Sequence, residues 1–103
     1  MLTHSLEHLF NPCSIAVIGA SDKSLSVGAN VLTNLLRGDF SGNIFPVNPN
    51  HAVIQGKPCF ASVKDIQQSV DLAVIVTPAA HVPQVLKECG EKNIRHAIIL
   101  SAG

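Results

Sequence analysis

The sequence predicts an α/β fold built on a doubly wound, mainly parallel sheet of about five strands. Three observations carry that expectation. Four short apolar runs, "IAVI" (15–18), "NIFPV" (43–47), "LAVIV" (72–76) and "AIIL" (97–100), show no alternation with polar residues, as strands covered on both faces should. Helical patterns stand between them, so strand and helix alternate along the chain. At 103 residues the chain has the size of one domain with a real but modest core.

Taken in order, Ser5 to Phe10 reads as a short helix that turns Leu6, Leu9 and Phe10 inward before Asn11-Pro12 stops it. The first strand follows. In "SVGANVLTNLLRGDFSG" Val27, Val31 and Leu35 share a helical stripe with Leu32 and Leu36 beside it, and Gly38 supplies a stop. After the second strand, "KPCF" reads as a short edge strand because Pro58 bars a central one, and "SVKDIQQ" as a helix capped by Ser62. After "LAVIV", Val82, Val85, Leu86 and Cys89 follow the i, i+3, i+4, i+7 pattern of a helix on a sheet, with Pro83 in its first turn. Right-handed crossovers then give a Rossmann-like sheet of order 3-2-1-4-5, with the "KPCF" piece as strand 3.

Bulk properties narrow the function. Formal net charge is zero with 14% charged residues and no Lys/Arg run, which removes the basic footprint of a nucleic-acid binder. The lack of Trp and Tyr removes most stacking side chains that single-strand binders use. No apolar run nears the roughly 20 residues that span a bilayer, so no membrane role is expected. Cys13, Cys59 and Cys89 are odd in number and lack C-x-x-C spacing, which reads as a reduced, cytoplasmic protein.

In open sheets of this kind a ligand binds beyond the carboxyl ends of the strands, where the strand order reverses. Those ends are Gly19-Ala20-Ser21, Val47-Asn48-Pro49, Thr77-Pro78-Ala79-Ala80 and Ser101-Ala102-Gly103. The reversal falls between the first and fourth strands, so the Gly19 and Thr77 turns form the two lips of the crevice. Both lead into helices, whose first amides suit a phosphate. Gly19 permits close approach, Ser21 offers a hydroxyl, Lys23 a positive charge, and Gly28 either nears the ligand or serves helix–sheet packing. A dinucleotide fingerprint fails here: Ser21 and Ser24 stand where G-x-G-x-x-G needs glycine, and the second strand ends in Val47-Asn48-Pro49 with no ribose-reading acid.

Several residues read as structural. His4 and His8, spaced i, i+4, lack a third metal ligand nearby. Cys13, Cys59 and Cys89 read as packing residues, and His81 stands near the crevice without a catalytic role. Ser21 is no hydrolase nucleophile, because Lys23 occupies the second glycine position of G-x-S-x-G. No catalytic residue and no metal site are assigned.

A family likeness rests on "LFNPCSIAVIGASDKSLSVGANVLTNLL", "GNIFPVNPNHAVIQGKPCFASVKDI" and "DLAVIVTPAAHVPQVLKECGEKNIRHAIILSAG". With its G-A-S, V-N-P, G-x-P, V-T-P-A and terminal S-A-G in that order, the chain from about Leu6 to Gly103 resembles the N-terminal CoA-binding domain of the NDP-forming acyl-CoA synthetases, relatives of the succinyl-CoA synthetase alpha subunit. The resemblance implies a coenzyme A site in which Gly19 to Lys23 and the next helix start hold the nucleotide and phosphates. Val47-Asn48-Pro49 and Val76-Thr77-Pro78-Ala79 would line the adenosine and pantetheine groove, and Ser101, Ala102 and Gly103 would approach the thiol end. CoA carries a ribose phosphate, so the missing acid fits: a carboxylate there would repel it. Relatives often place Lys after the strand-2 Pro where this chain has Asn50 and His51, which either lowers phosphate affinity or leaves it to Lys23 and Lys57.

The same resemblance implies that residues 1–103 are the first domain of a longer ligase of the ADP-forming acetate–CoA type. CoA or acyl-CoA is its ligand; later domains, or an ATP-grasp subunit, are its partners. The domain by itself is expected to bind rather than catalyse. Two alternatives remain: a CoA-sensing regulatory domain of a protein lysine acetyltransferase, and an NAD-type or redox-sensing nucleotide module.

Overall fold

The computed structural model describes residues 12–21, 23, 26–38 and 40–100. The expected helix at Ser5 to Phe10, the His4/His8 pair, Ser24 and the Ser101–Gly103 turn lie outside the described residues.

Three of the unalternating runs become strands buried almost throughout: β1 (Ser14–Ile18), β2 (Asn43–Val47) and the strand Leu72–Ile75. Between β1 and β2 runs α1 (Val27–Arg37), whose N-cap Ser26 accepts the Ala29 N–H at 3.1 Å. Gly38 closes it, donating its N–H to the Asn34 carbonyl. Two further short strands, β3 (Val53–Ile54) and β4 (Lys57–Pro58), precede Leu72–Ile75, which is therefore β5; α2 (Val82–Glu91) and β6 (His96–Ile99) complete the order.

β1, β2, β5 and β6 form one parallel sheet in the order β2-β1-β5-β6. The doubly wound arrangement and its reversal between β1 and β5 are as expected. The fifth strand is reduced. "KPCF" turns back on β3 as an antiparallel pair, and only Phe60 reaches β2, through a single parallel bridge to Val47. Local chemistry explains this: Gln55 and Gly56 both have positive φ, 50° and 79°, as a two-residue hairpin loop of the primed type requires. Pro58 has no N–H with which to extend a ladder. Pro46, inside β2, costs the sheet nothing, because its carbonyl accepts from Phe60 N–H on the outer side, where its missing N–H would also point.

Alternate strand residues feed two cores. Ile15, Val17, Leu72 and Val74 meet Leu32 of α1 on one face, where Leu32 is fully buried. On the other, Ala16, Ile18, Ala73 and Ile75 meet Cys89 of α2 and the segment containing Val63 and Ile66. Leu86, expected on the buried stripe of α2, is 41% exposed; Val82 and Val85 take the packing. The predicted helix at "SVKDIQQ" is one 3-10 turn, Val63–Asp65, with Ser62 capping it as expected through the Lys64 N–H. Ile66 leaves that turn to become fully buried, and its carbonyl accepts a hydrogen bond from Lys92 Nζ.

At the amino end of the sheet, buried Ser14 clasps β1 to the entry of β5. Its Oγ donates to the Ser69 carbonyl and accepts the Asp71 N–H, both at 3.0 Å, while the Asp71 carboxylate accepts the Cys13 N–H at 2.7 Å. The opposite end is thereby left to the loops.

Candidate functional site

Three strand ends meet where the order reverses. Gly19, with φ of 95°, turns the chain sharply out of β1 and donates its N–H to the Val47 carbonyl at 2.9 Å. Val76 donates its N–H to the Ile18 carbonyl at 2.8 Å. A Cβ on Gly19 would stand 3.0 Å from Thr77 N and from the Val76 carbonyl carbon, so the two lips touch backbone to backbone.

Asn48 ties the third strand end in. Its side-chain amide donates to the Ala20 carbonyl at 2.9 Å, and its Oδ1 accepts the Asn50 N–H at 2.8 Å, an Asx turn that holds Asn48-Pro49-Asn50 as a wall. Beside the lips opens a groove of about 530 Å³. Ile18, Gly19, Val47 and Val76 form its floor. One wall is Asn48 to Asn50 with Ala61; the other is His81, Gln84, Val85 and Glu88.

Of the residues expected at a site, the groove brings together Gly19, Val47, Asn48, Pro49, Val76, Thr77 and Pro78. Ala20 is fully buried behind the lip, its carbonyl held by Asn48. Ser21 and Lys23 stay on the loop: Ser21 Oγ accepts the Lys23 N–H at 2.9 Å, which leaves its own proton to give. Gly28 is buried against Gly19, where a Cβ would lie 2.2 Å from the Gly19 carbonyl oxygen, so α1 can start this close to β1 only with glycine there. Ala79 is exposed, in the 3-10 turn that leads into α2.

The α2 wall was not foreseen beyond His81. Gln84, Val85 and Glu88 continue from His81 at i+3, i+4 and i+7, a signal present in the sequence but offset by one residue from the apolar stripe that faces the sheet. Glu88 Oε1 accepts from Ser62 Oγ at 2.7 Å and Oε2 from Gln84 Nε2 at 3.1 Å. Those hydrogen bonds, Ser62 first, hold its carboxyl below the ordinary glutamate value. At the lip, Thr77 Oγ1 is buried with no hydrogen-bond partner among the described residues. A buried hydroxyl left unmatched beside a groove is satisfied by a polar ligand group at low cost.

Comparison with known proteins identifies the chain. Residues 13–103 match the family model described as "CoA binding domain". The chain is 46% identical over 98 residues to acetate–CoA ligase (ADP-forming) I of Archaeoglobus fulgidus, covering 95% of this chain and 14% of the relative. It is 47% identical over 103 residues to acetate–CoA ligase (ADP-forming) I subunit alpha of Pyrococcus furiosus, covering 96% of this chain and 22% of that one. In three dimensions it is similar to the "dinucleotide forming Acetyl-coenzyme A synthetase 1" of Ca. Korarchaeum cryptofilum solved with phosphate and ADP: the TM-score is 0.91 at 39% identity, over 95% of this chain and 21% of that one. The chain thus spans 14% to 22% of the length of these relatives. The family match reaches from the start of β1 through every described strand, and the chain belongs to the CoA-binding domain family.

Proposed function

We propose that this chain serves as the first, CoA-holding domain of an ADP-forming acyl-CoA ligase of the acetate–CoA type. The observation that carries the reading is the meeting of Gly19 and Thr77 at the sheet's reversal, with a groove beside it lined by the V-N-P and V-T-P segments. The residues present fit the coenzyme. Bared backbone at Gly19 and the first turn of α1, with Ser21 and Lys23 nearby, offer donors for phosphates, since the first amides of any helix lack intrahelical partners. The Thr77 hydroxyl waits for a polar group. No acid stands at the end of β2 to repel the ribose phosphate.

In this reading Ala20, Gly28 and Ala79 support the lips, and Ser101, Ala102 and Gly103 approach the thiol end. The longer protein interconverts acyl-CoA, NDP and phosphate with acid, CoA and NTP by way of acyl phosphate and a phosphohistidine in a later domain, with an ATP-grasp domain or subunit as partner. This chain contributes binding and orientation of CoA. A cytoplasmic location without nucleic-acid or membrane partners accompanies it; no helix among the described residues is long and apolar enough to cross a membrane.

Calorimetric titration of the chain with CoA, dephospho-CoA and NADH tests the proposal. Saturable heat with CoA, weaker with dephospho-CoA and absent with NADH is expected. Binding of NADH with no heat from CoA would overturn it in favour of the NAD-type module. A phosphorylatable His in the following domain distinguishes the ligase from an acetyltransferase parent.

A further inference from the structure

The groove has two chemically different ends. His81, the N-cap of α2, and Glu88 within it are seven residues apart, about 10 Å along a helix axis. His81 stands with Thr77 at the lip; Glu88 stands where the two walls are stitched together, through its 2.7 Å hydrogen bond from Ser62. One turn further on, Lys64 Nζ and Glu91 pair at 3.0 Å across the same two segments. The two walls are therefore bridged at the Glu88 end of the groove, its closed end.

The closed end holds an anionic acceptor with capacity to spare. A carboxylate has about four acceptor positions, and Ser62 and Gln84 take one on each oxygen. An acceptor-only group of negative charge repels phosphate and rewards a neutral group carrying N–H. The same groove is lined by Val47, Pro49 and Val85, apolar residues that suit a flat ring.

We propose that Glu88 reads the exocyclic amine of the coenzyme's adenine, so that the base lies in the closed end and the phosphates lie at the Gly19 lip. This rests on the CoA reading above and adds to it an orientation and a base preference. Gln84 and Ser62 are positioning residues: each holds one oxygen of the carboxylate, which lines the groove.

The test compares adenosine 3′,5′-bisphosphate with inosine 3′,5′-bisphosphate, which replaces the amine by a carbonyl oxygen, on the wild-type chain and on Glu88→Gln. The wild-type chain should prefer the adenine compound by at least about tenfold, the order of one charge-assisted hydrogen bond. In Glu88→Gln the two should bind within about threefold of each other, because an amide can accept from the amine or donate to the carbonyl. Ser62→Ala, which keeps the carboxylate, should retain a preference for adenine. Equal binding of the two compounds by a wild-type chain that binds CoA would overturn the assignment and leave the CoA reading standing. An undiminished preference in Glu88→Gln would overturn it too, as would pantetheine displacing CoA while adenosine 3′,5′-bisphosphate does not, since Glu88 would then face a pantetheine amide. A wild-type chain that bound no CoA would remove the parent reading itself. The comparison on the wild-type chain decides the matter without any variant.

Discussion

A methyl group added at Gly28 would stand 2.2 Å from the Gly19 carbonyl oxygen, inside any allowed contact, and the obstacle is backbone rather than a side chain that can swing away. Gly28→Ala must therefore push α1 off the β1 turn. Helix propensity favours alanine by up to about 1 kcal/mol, and overpacking costs about 1–3 kcal/mol. The net expected change is a loss of stability in urea unfolding, with weaker CoA binding because the Gly19 lip moves with the helix. Unchanged stability would show that the helix start can shift freely. Gly19→Val is a poorer probe of the ligand loop than its place in the motif suggests: its Cβ would press on Thr77 N and its φ of 95° strains any L side chain, so fold and site fail together. Asn48→Ala separates them better, removing the tie to the Ala20 carbonyl at a cost of about 1 kcal/mol and loosening a wall without touching the floor. The cysteines also divide at this scale. Burial, with Glu88 as neighbour, pushes the Cys89 thiol up to about 11, whereas Cys13 is exposed. Iodoacetamide at mildly alkaline pH should modify Cys13 in the folded protein and reach Cys89 only on unfolding, a contrast that peptide mass mapping reads directly.

Among the elements, α2 does two jobs with two faces. Val82, Val85 and Cys89 bind it to the sheet, and that stripe is legible in the sequence because apolar residues at helical spacing have few other uses. The groove face is harder to read. Gln84 and Glu88 look like an ordinary solvated pair at i, i+4, and only Ser62, 26 residues away, turns the carboxylate into a fixed feature. The same separation limits the segment after β4: Ser62 announces a helix start, but the turn stops at Asp65 because Ile66 is drawn into the core, a tertiary demand that local pattern does not carry. The Ser62–Glu88 link has a pH signature. Its hydrogen bonds favour the ionised carboxylate, so the folded value lies below the unfolded one of about 4.5. The stabilisation is present above that value and is lost as pH falls through the lower, folded one. Thermal melts at about pH 7 and about pH 3 should show wild type above Glu88→Gln at neutrality and the two converging in acid. Parallel curves at both pH values would mean that the link contributes nothing to the fold.

For the molecule as a whole, the four apolar runs look equivalent in the sequence and are not. β1 and β5 are ladder-paired on both sides and buried throughout, and β2 gains the Phe60 bridge, whose ring meets Phe45 edge-on with centroids 5.9 Å apart. β6 pairs only with β5 among the described residues, and its apolar side chains face outward: Ile98 is 42% exposed and Ile99 46% exposed, with Leu100 beyond the strand 38% exposed. The expectation of a strand covered on both faces is met for three runs and not for the fourth, because coverage belongs to what packs around a strand and leaves no trace in the run itself. An uncharged apolar edge presents unpaired backbone groups to any second strand. The 103-residue chain should therefore associate with itself through β6 as its concentration rises. Ile99→Lys places a charge on that edge, at a site exposed enough that stability should change by no more than about 0.5 kcal/mol. Size-exclusion chromatography with light scattering should then show the wild-type chain rising above monomer mass with concentration while the variant stays monomeric. Equal association of the two, at equal melting temperature, would place the contact elsewhere on the surface.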